Sequence, residues 1–137
     1  MSDSRLNLKV VTPSGVLLEE EDCEAVYSTS ESGVFGVLPQ HIPMMCPLTI
    51  GITKYVKNKE TKYLTTLGGI FQIENNNVTI LSDNAELGEK IDVQRAKAAQ
   101  ERAEAILLST KSSDTEVLKA QFKLAKALAR LNAALKK

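Results

Sequence analysis

The chain has no tryptophan, one histidine and two cysteines among its 137 residues, and its net charge at pH 7 is zero. Each scarcity narrows the function. Cys23 and Cys46 stand outside any CxxC spacing, and the lone His41 does not complete a metal site with them, so buried, reduced thiols are expected. No apolar run approaches the roughly 18–20 residues that span a bilayer, and direct membrane insertion is not expected. Residues 1–5 lack the basic-then-apolar order of a signal peptide, which points to the cytosol. A phosphate-binding GxxxxGK[ST] loop and a nucleophile elbow are both missing, so no catalytic residue and no metal site is assigned.

The zero charge hides a split. Residues 1–90 carry 7 Lys+Arg against 12 Asp+Glu, and residues 91–137 carry 10 against 5. All seven glycines and all four prolines precede position 91, and Phe122 is the one aromatic residue after it. Two differently built pieces therefore meet near Gly88-Glu89-Lys90, giving a first domain over 1–88 and a second over 89–137. The first is acidic and its aromatics are not interleaved with basic residues, which argues against nucleic acid.

The first piece reads as β throughout. Leu6, Leu8 and Val10 alternate with Asn7, Lys9 and Val11, then Pro13-Ser14-Gly15 signals a turn. A short strand over 16–18 precedes the acidic cluster Glu19-Glu20-Glu21-Asp22, and another strand is expected over 23–28. Residues 50–56 and 61–65 flank a hairpin turn at Lys57-Asn58-Lys59-Glu60. Residues 68–74 pair across Asn75-Asn76-Asn77 with Val78-Thr79-Ile80-Leu81. Gly68-Gly69 lies inside a strand pattern and marks close backbone approach or a bulge. Short strands at regular spacing predict an antiparallel β-sandwich or flattened barrel.

The second piece reads as helical, so the fold class is α+β. Asp92 is a suitable N-cap, and Val93, Ala96, Ala99, Ala103, Ile106 and Leu107 keep a 3–4 spacing. The pattern breaks over 109–113, and Ser113-Asp114-Thr115-Glu116 is a capping box that opens a second helix. Val117, Leu124, Leu128, Leu131 and Leu135 mark its expected apolar face. A short connection favours an antiparallel hairpin, with Ala96, Ala99 and Ala103 set against Ala120, Ala127 and Ala134. At about 25 cal/mol per Å², an alanine seam holds weakly, so the hairpin detaches at modest cost.

One stretch stands apart: Gly33-Val34-Phe35-Gly36-Val37-Leu38-Pro39-Gln40-His41-Ile42-Pro43. Two glycines and two prolines around the histidine read as a stiff, shaped loop that suits contact with a protein surface. With Leu67-Gly68-Gly69-Ile70-Phe71-Gln72-Ile73, Asn77-Val78-Thr79-Ile80-Leu81 and Ile91-Asp92-Val93-Gln94-Arg95-Ala96, it resembles the ε subunits of the rotary F-type ATP synthases nearly end to end. The order and spacing of these motifs carry the resemblance.

The resemblance implies a non-catalytic central-stalk component at the cytoplasmic face of a bacterial plasma membrane, with a plastid membrane as the alternative. It implies a sandwich that binds the γ subunit and the ring of c subunits, with Glu31, Ser32, Gly33, Val34, Phe35 and His41 as the contact region. His41 reads either as a pH switch or as a loop residue hydrogen-bonded to a neighbour. The helices resemble the family's regulatory part, which folds down on the sandwich or extends toward the α and β subunits and obstructs hydrolysis. Lys119, Lys123, Lys126 and Arg130 form a basic stripe suited to acidic surfaces there, or simply a solvated face.

No cofactor is required, but ATP as a regulatory ligand of the folded hairpin is also implied. Ile91, Asp92, Arg95 and Ala96 match that motif, with Glu86 upstream, Arg102 two turns beyond Arg95, and Lys126 and Arg130 on the second helix. Lys126 stands where the family motif has arginine, which weakens bidentate phosphate contact. On the plainer reading Asp92 only caps its helix, and Arg95 and Arg102 pair with acids. A stand-alone ATP-binding sensor without a rotary partner is the competing reading.

Overall fold

The computed structural model describes residues 5–109 and 113–135. Eight strands come first: β1 (Leu6–Thr12), β2 (Gly15–Cys23), β3 (Ala25–Ser30), β4 (Gly33–Val37), β5 (Met44–Lys57), β6 (Glu60–Glu74), β7 (Asn77–Leu81) and β8 (Ala85–Leu87). A 3-10 turn (Gly88–Lys90) leads into α1 (Val93–Leu108) and α2 (Asp114–Leu135). Part of the expected helix connection, 110–112, lies outside the described residues.

The sandwich is built on one long hairpin. β5 and β6 pair along nearly their whole length and pass through both layers. The later part of β6 pairs with β7, and β7 with β1, which pairs in turn with β2. The earlier part of β6 pairs with β8, while β5 pairs with β3 and β3 with β4. Every pairing is antiparallel except β1 with β7, which is parallel. Those two strands are far apart in sequence, so no tight turn dictates their relative direction.

Positive φ at Asn58 and Lys59, and again at Asn75 and Asn76, marks the two short hairpin turns, a conformation that asparagine tolerates better than most residues. Alternation places Leu6, Leu8, Val10, Val26, Val37, Leu64, Phe71, Ile73, Val78 and Ile80 in one core. A buried hydroxyl chain sits beside it: Ser28 Oγ lies 2.7 Å from Thr53 Oγ1, which lies 3.0 Å from Thr66 Oγ1.

Three strand expectations are corrected. The acidic cluster 19–22 belongs to β2, because an edge strand that pairs with β1 alone leaves its other side to water, where carboxylates are tolerated. Residues 33–37 form β4 rather than a loop, with Gly36 beneath the Tyr27 ring, where a Cβ would come within 2.5 Å of Cε2. The strands expected over 61–65 and 68–74 are one, with Gly68-Gly69 inside it. With φ of +90° and +124°, the glycines bend β6 instead of ending it.

Both helix starts follow their caps. Asp92 Oδ1 accepts from the Arg95 amide at 3.1 Å, and Ser113 Oγ accepts from the Glu116 amide at 3.2 Å. The apolar face expected on α2 is buried only in part: Leu131 is buried, and Val117 and Leu124 are half-buried. Ala120, Ala127, Ala129, Leu131 and Ala133 are buried, whereas Leu128 and Leu135 are 41% and 63% exposed. Helix α2 packs both on α1 and on the sheet through β5 and β6, and two such close approaches select alanine over leucine. Of the expected seam, Ala96, Ala103, Ala120 and Ala127 are buried, and Ala99 and Ala134 half-buried.

Candidate functional site

The hairpin meets the sandwich where α2 crosses β8 and the 3-10 turn. Arg130 Nε donates to Glu86 Oε1 at 2.6 Å, with the two side chains 26% and 38% exposed. Beside it, a Cβ on Gly88 would lie 2.6 Å from the Ala133 carbonyl oxygen and 2.9 Å from that of Tyr63, so glycine lets the helix settle there. Ile91 and Ala96 are buried, and Asp92 serves as the N-cap of α1.

Arg95 and Arg102 are exposed on α1. Among the described residues, no ion pair joins either of them to an acid. Of the expected nucleotide set, the structure pairs Glu86 directly with Arg130, and Lys126 lies one turn before Arg130 on the same helix. Lys126 Nζ stands 4.5 Å from the centre of the Phe122 ring, a cation–π contact, while Lys119 and Lys123 are exposed.

The expected contact region divides along β4. Glu31 and Ser32 form the exposed β3–β4 turn, in which Ser30 Oγ donates to the Gly33 carbonyl at 3.1 Å and accepts from the Ser32 amide at 3.2 Å. Val34 is 72% exposed, but the alternation of the strand turns Phe35 inward. Its ring meets Phe71 edge to face at 5.0 Å, so the half-buried side chain packs against the core. His41 lies beyond the other end of β4, with Nδ1–H directed at the Ile42 carbonyl at 2.7 Å. Around it Leu38 and Ile42, inside the stretch read as a contact loop, and Met45 just beyond it are exposed apolar residues. Their signal was present as apolar positions in a proline-rich loop.

A second cluster was overlooked. Glu20 on β2 accepts from Lys57 Nζ at 3.2 Å and from Tyr55 Oη at 3.3 Å. The bond to Glu20 raises the Lys57 pKa, and burial together with Glu20 raises that of Tyr55. Burial pushes the nearby Cys23 thiol up to about 11, against the opposing charge of Lys57. A raised thiol pKa suits an inert, structural cysteine rather than a nucleophile. The cluster borders a cleft of about 720 Å³ between the sandwich and the end of α2, where Glu20, Tyr55, Glu89 and Ala133 are among the lining residues. Among the described residues no group of His, Cys, Asp and Glu is placed to hold a metal ion, and no helix is long and apolar enough to cross a membrane.

These features define a class: a β-sandwich module carrying an alanine-seamed helical hairpin, with one ion pair at the junction among the described residues. Residues 5–88 match the family model described as ATP synthase, Delta/Epsilon chain, beta-sandwich domain, and residues 89–134 match its long alpha-helix domain. The chain belongs to the ATP synthase delta/epsilon family.

Among its relatives, the ATP synthase epsilon chain of Desulfitobacterium hafniense (strain Y51) is 42% identical over 127 residues, covering 93% of this chain and 94% of the relative. That of Bacillus licheniformis is 38% identical over 129 residues, covering 94% and 97%. A chain in the Euglena gracilis mitochondrial ATP synthase structure (OSCP/F1/c-ring, rotational state 1) shares the fold with a TM-score of 0.83 at 22% identity, over 97% of this chain and 82% of that one. A chain in the Tetrahymena thermophila mitochondrial ATP synthase structure (central stalk/c-ring) does so at 0.62 and 12%, over 98% and 99%.

Proposed function

We propose that the chain is a non-catalytic rotor subunit of a proton-translocating ATP synthase, in which the sandwich attaches to the central stalk and the hairpin regulates hydrolysis. The observation that carries this reading is the division of the energetics. The clustered apolar core lies entirely within the sandwich, whereas the hairpin is laid on it through alanines and the Arg130–Glu86 pair. A part with its own core suits permanent attachment; a part held by small side chains suits movement.

In this reading residues 1–88 bind the γ subunit and the c ring. The Glu31–Ser32 turn, Gly33, Val34 and the His41 loop contribute the contact surface. Residues 89–137 reach the α and β subunits when extended, with Lys119, Lys123, Lys126 and Arg130 facing acidic surfaces. The subunit is peripheral, at the cytoplasmic face of a bacterial membrane. ATP is the regulatory ligand of the docked hairpin, held by Arg95, Arg102, Lys126 and Arg130 and bounded by Ile91, Asp92 and Ala96. By binding the docked form better than the extended one, it shifts the population toward release of inhibition.

The test is hydrolysis by an ε-depleted bacterial ATPase core as the chain is added. Saturable inhibition that disappears when the chain ends at Lys90 is expected. A chain that leaves hydrolysis unchanged while its Arg95→Ala variant loses ATP binding would instead support a stand-alone sensor.

A further inference from the structure

We propose that Glu86 and Gly88 form a catch that holds the hairpin on the sandwich when no nucleotide is bound, with Glu86 acting as an internal substitute for a ligand anion. The inference rests on the reading that the hairpin leaves the sandwich, and adds what retains it there.

The contact surface of α2 is dominated by alanine. Such a surface buries little area per residue, so a few specific contacts decide whether the hairpin stays docked. Arg130 with Glu86 is the one ion pair between helix and sandwich among the described residues. At 2.6 Å it is short, and charge-assisted bonds are roughly twice as strong as neutral ones. Gly88, two residues on, supplies the fit: any side chain there meets the Ala133 and Tyr63 carbonyl oxygens.

The two halves of the catch sit on a firm base. Glu86 belongs to β8, which is paired to β6 from Leu64 to Thr66, and the Thr65 hydroxyl donates to the Glu86 carbonyl at 3.4 Å. Between them Leu87 packs against the sandwich core. A fixed carboxylate and a fixed glycine therefore receive the helix as a unit.

The catch also changes the role of Glu86. Its carboxylate occupies the Nε edge of Arg130, while Lys126 rests on the Phe122 ring. Two of the four basic groups that would meet a triphosphate, Lys126 and Arg130, thus already have partners inside the chain. Docking without nucleotide depends on Glu86, and nucleotide must share or displace it at Arg130.

The experiment measures distances by pulsed electron spin resonance in the full chain without nucleotide. Spin labels are placed at Asn58→Cys and Gln121→Cys, both exposed, with Cys46→Ser and the buried Cys23 left in place. A short-distance population and a longer one report docked and undocked hairpins. Glu86→Gln is expected to lower the docked-to-undocked ratio about fivefold, the upper range for a partly exposed pair. Gly88→Val is expected to lower it more than tenfold, and exchanging the charges (Glu86→Arg with Arg130→Glu) to restore it to within about twofold of the parent.

A ratio unmoved by Glu86→Gln, or a charge exchange that fails to recover what Glu86→Arg loses, overturns the catch. A single distance in every variant overturns it together with the mobile hairpin. An ATP titration of the same labelled chain tests the nucleotide reading separately, because the catch is scored at zero nucleotide.

Discussion

Replacing Gly69 by alanine tests how the sandwich is built. Gly69 sits where β6 bends between layers, at φ +124°, and an added Cβ would fall on the Leu81 carbonyl oxygen and come 3.0 Å from Ser82 Cα. Two costs add. Holding an L-residue in a glycine-only region costs on the order of 1–3 kcal/mol. Forcing a methyl group against backbone costs about 1–3 kcal/mol more, because the β6–β7 pairing that carries the carbonyl has to shift. Gly15 provides the control, since its φ is +120° and a Cβ there would meet nothing within 4 Å.

Gly15→Ala should therefore cost about 1–3 kcal/mol and Gly69→Ala about 2–6 kcal/mol, the latter larger by the clash term and a large share of the roughly 5–15 kcal/mol typical of a folded domain. Urea unfolding followed by circular dichroism reads both, with an unchanged m-value showing that the midpoint shift is a stability change. Equal losses for the two variants would refute the claim that close approach, rather than dihedral preference alone, dictates glycine at the bend.

Thr53→Val should cost about 2 kcal/mol in the same urea assay, because it leaves the buried Ser28 and Thr66 hydroxyls without their shared partner; a loss under about 0.5 kcal/mol would show that the chain of hydroxyls contributes little. In the native chain a disulfide reagent at pH 8 should react readily with Cys46 and much more slowly with Cys23, and with both in urea, since Cys23 is fully buried and its thiol is held protonated. Because folding raises the Cys23 pKa from 9.0 to about 11, its stabilising contribution is complete below pH 9 and is lost as pH rises toward 11. Tyr55 shifts in the same direction, so the urea midpoint should fall across that range, and less steeply in Cys23→Val; a flat profile would contradict the burial argument.

Period-two alternation made the core strands legible, and the runs Lys57-Asn58-Lys59-Glu60 and Asn75-Asn76-Asn77 made their turns so. Asp92 and Ser113 announced both helix starts, because a cap is a local device readable from a few residues. The parallel β1–β7 pair was not legible, since it joins segments whose proximity depends on the whole sandwich. The alanine seam of α2 was legible as one side of a helical hairpin, but the docking of that helix on β5 and β6, which buries Ala129 and Ala133 as well, was not.

In the candidate site, Arg130 and Glu86 were both named from the sequence as parts of a nucleotide site, and the direct pairing between them was not. Spacing along one helix says nothing about a strand 44 residues away in sequence. The resemblance put Phe35 in the contact region, and β4 alternation turns its ring against Phe71, a packing that the loop reading of 33–43 did not show.

The central claim is that the sandwich attaches and the hairpin regulates. It is tested most directly by measuring binding of the full chain, and of a chain ending at Lys90, to an ε-depleted bacterial ATP synthase. The account predicts saturable binding with affinities within a few-fold of one another, because the apolar core and the proposed contact surface both precede the helices. Binding by the full chain that is lost on removing the helices, or no binding by either, would contradict it.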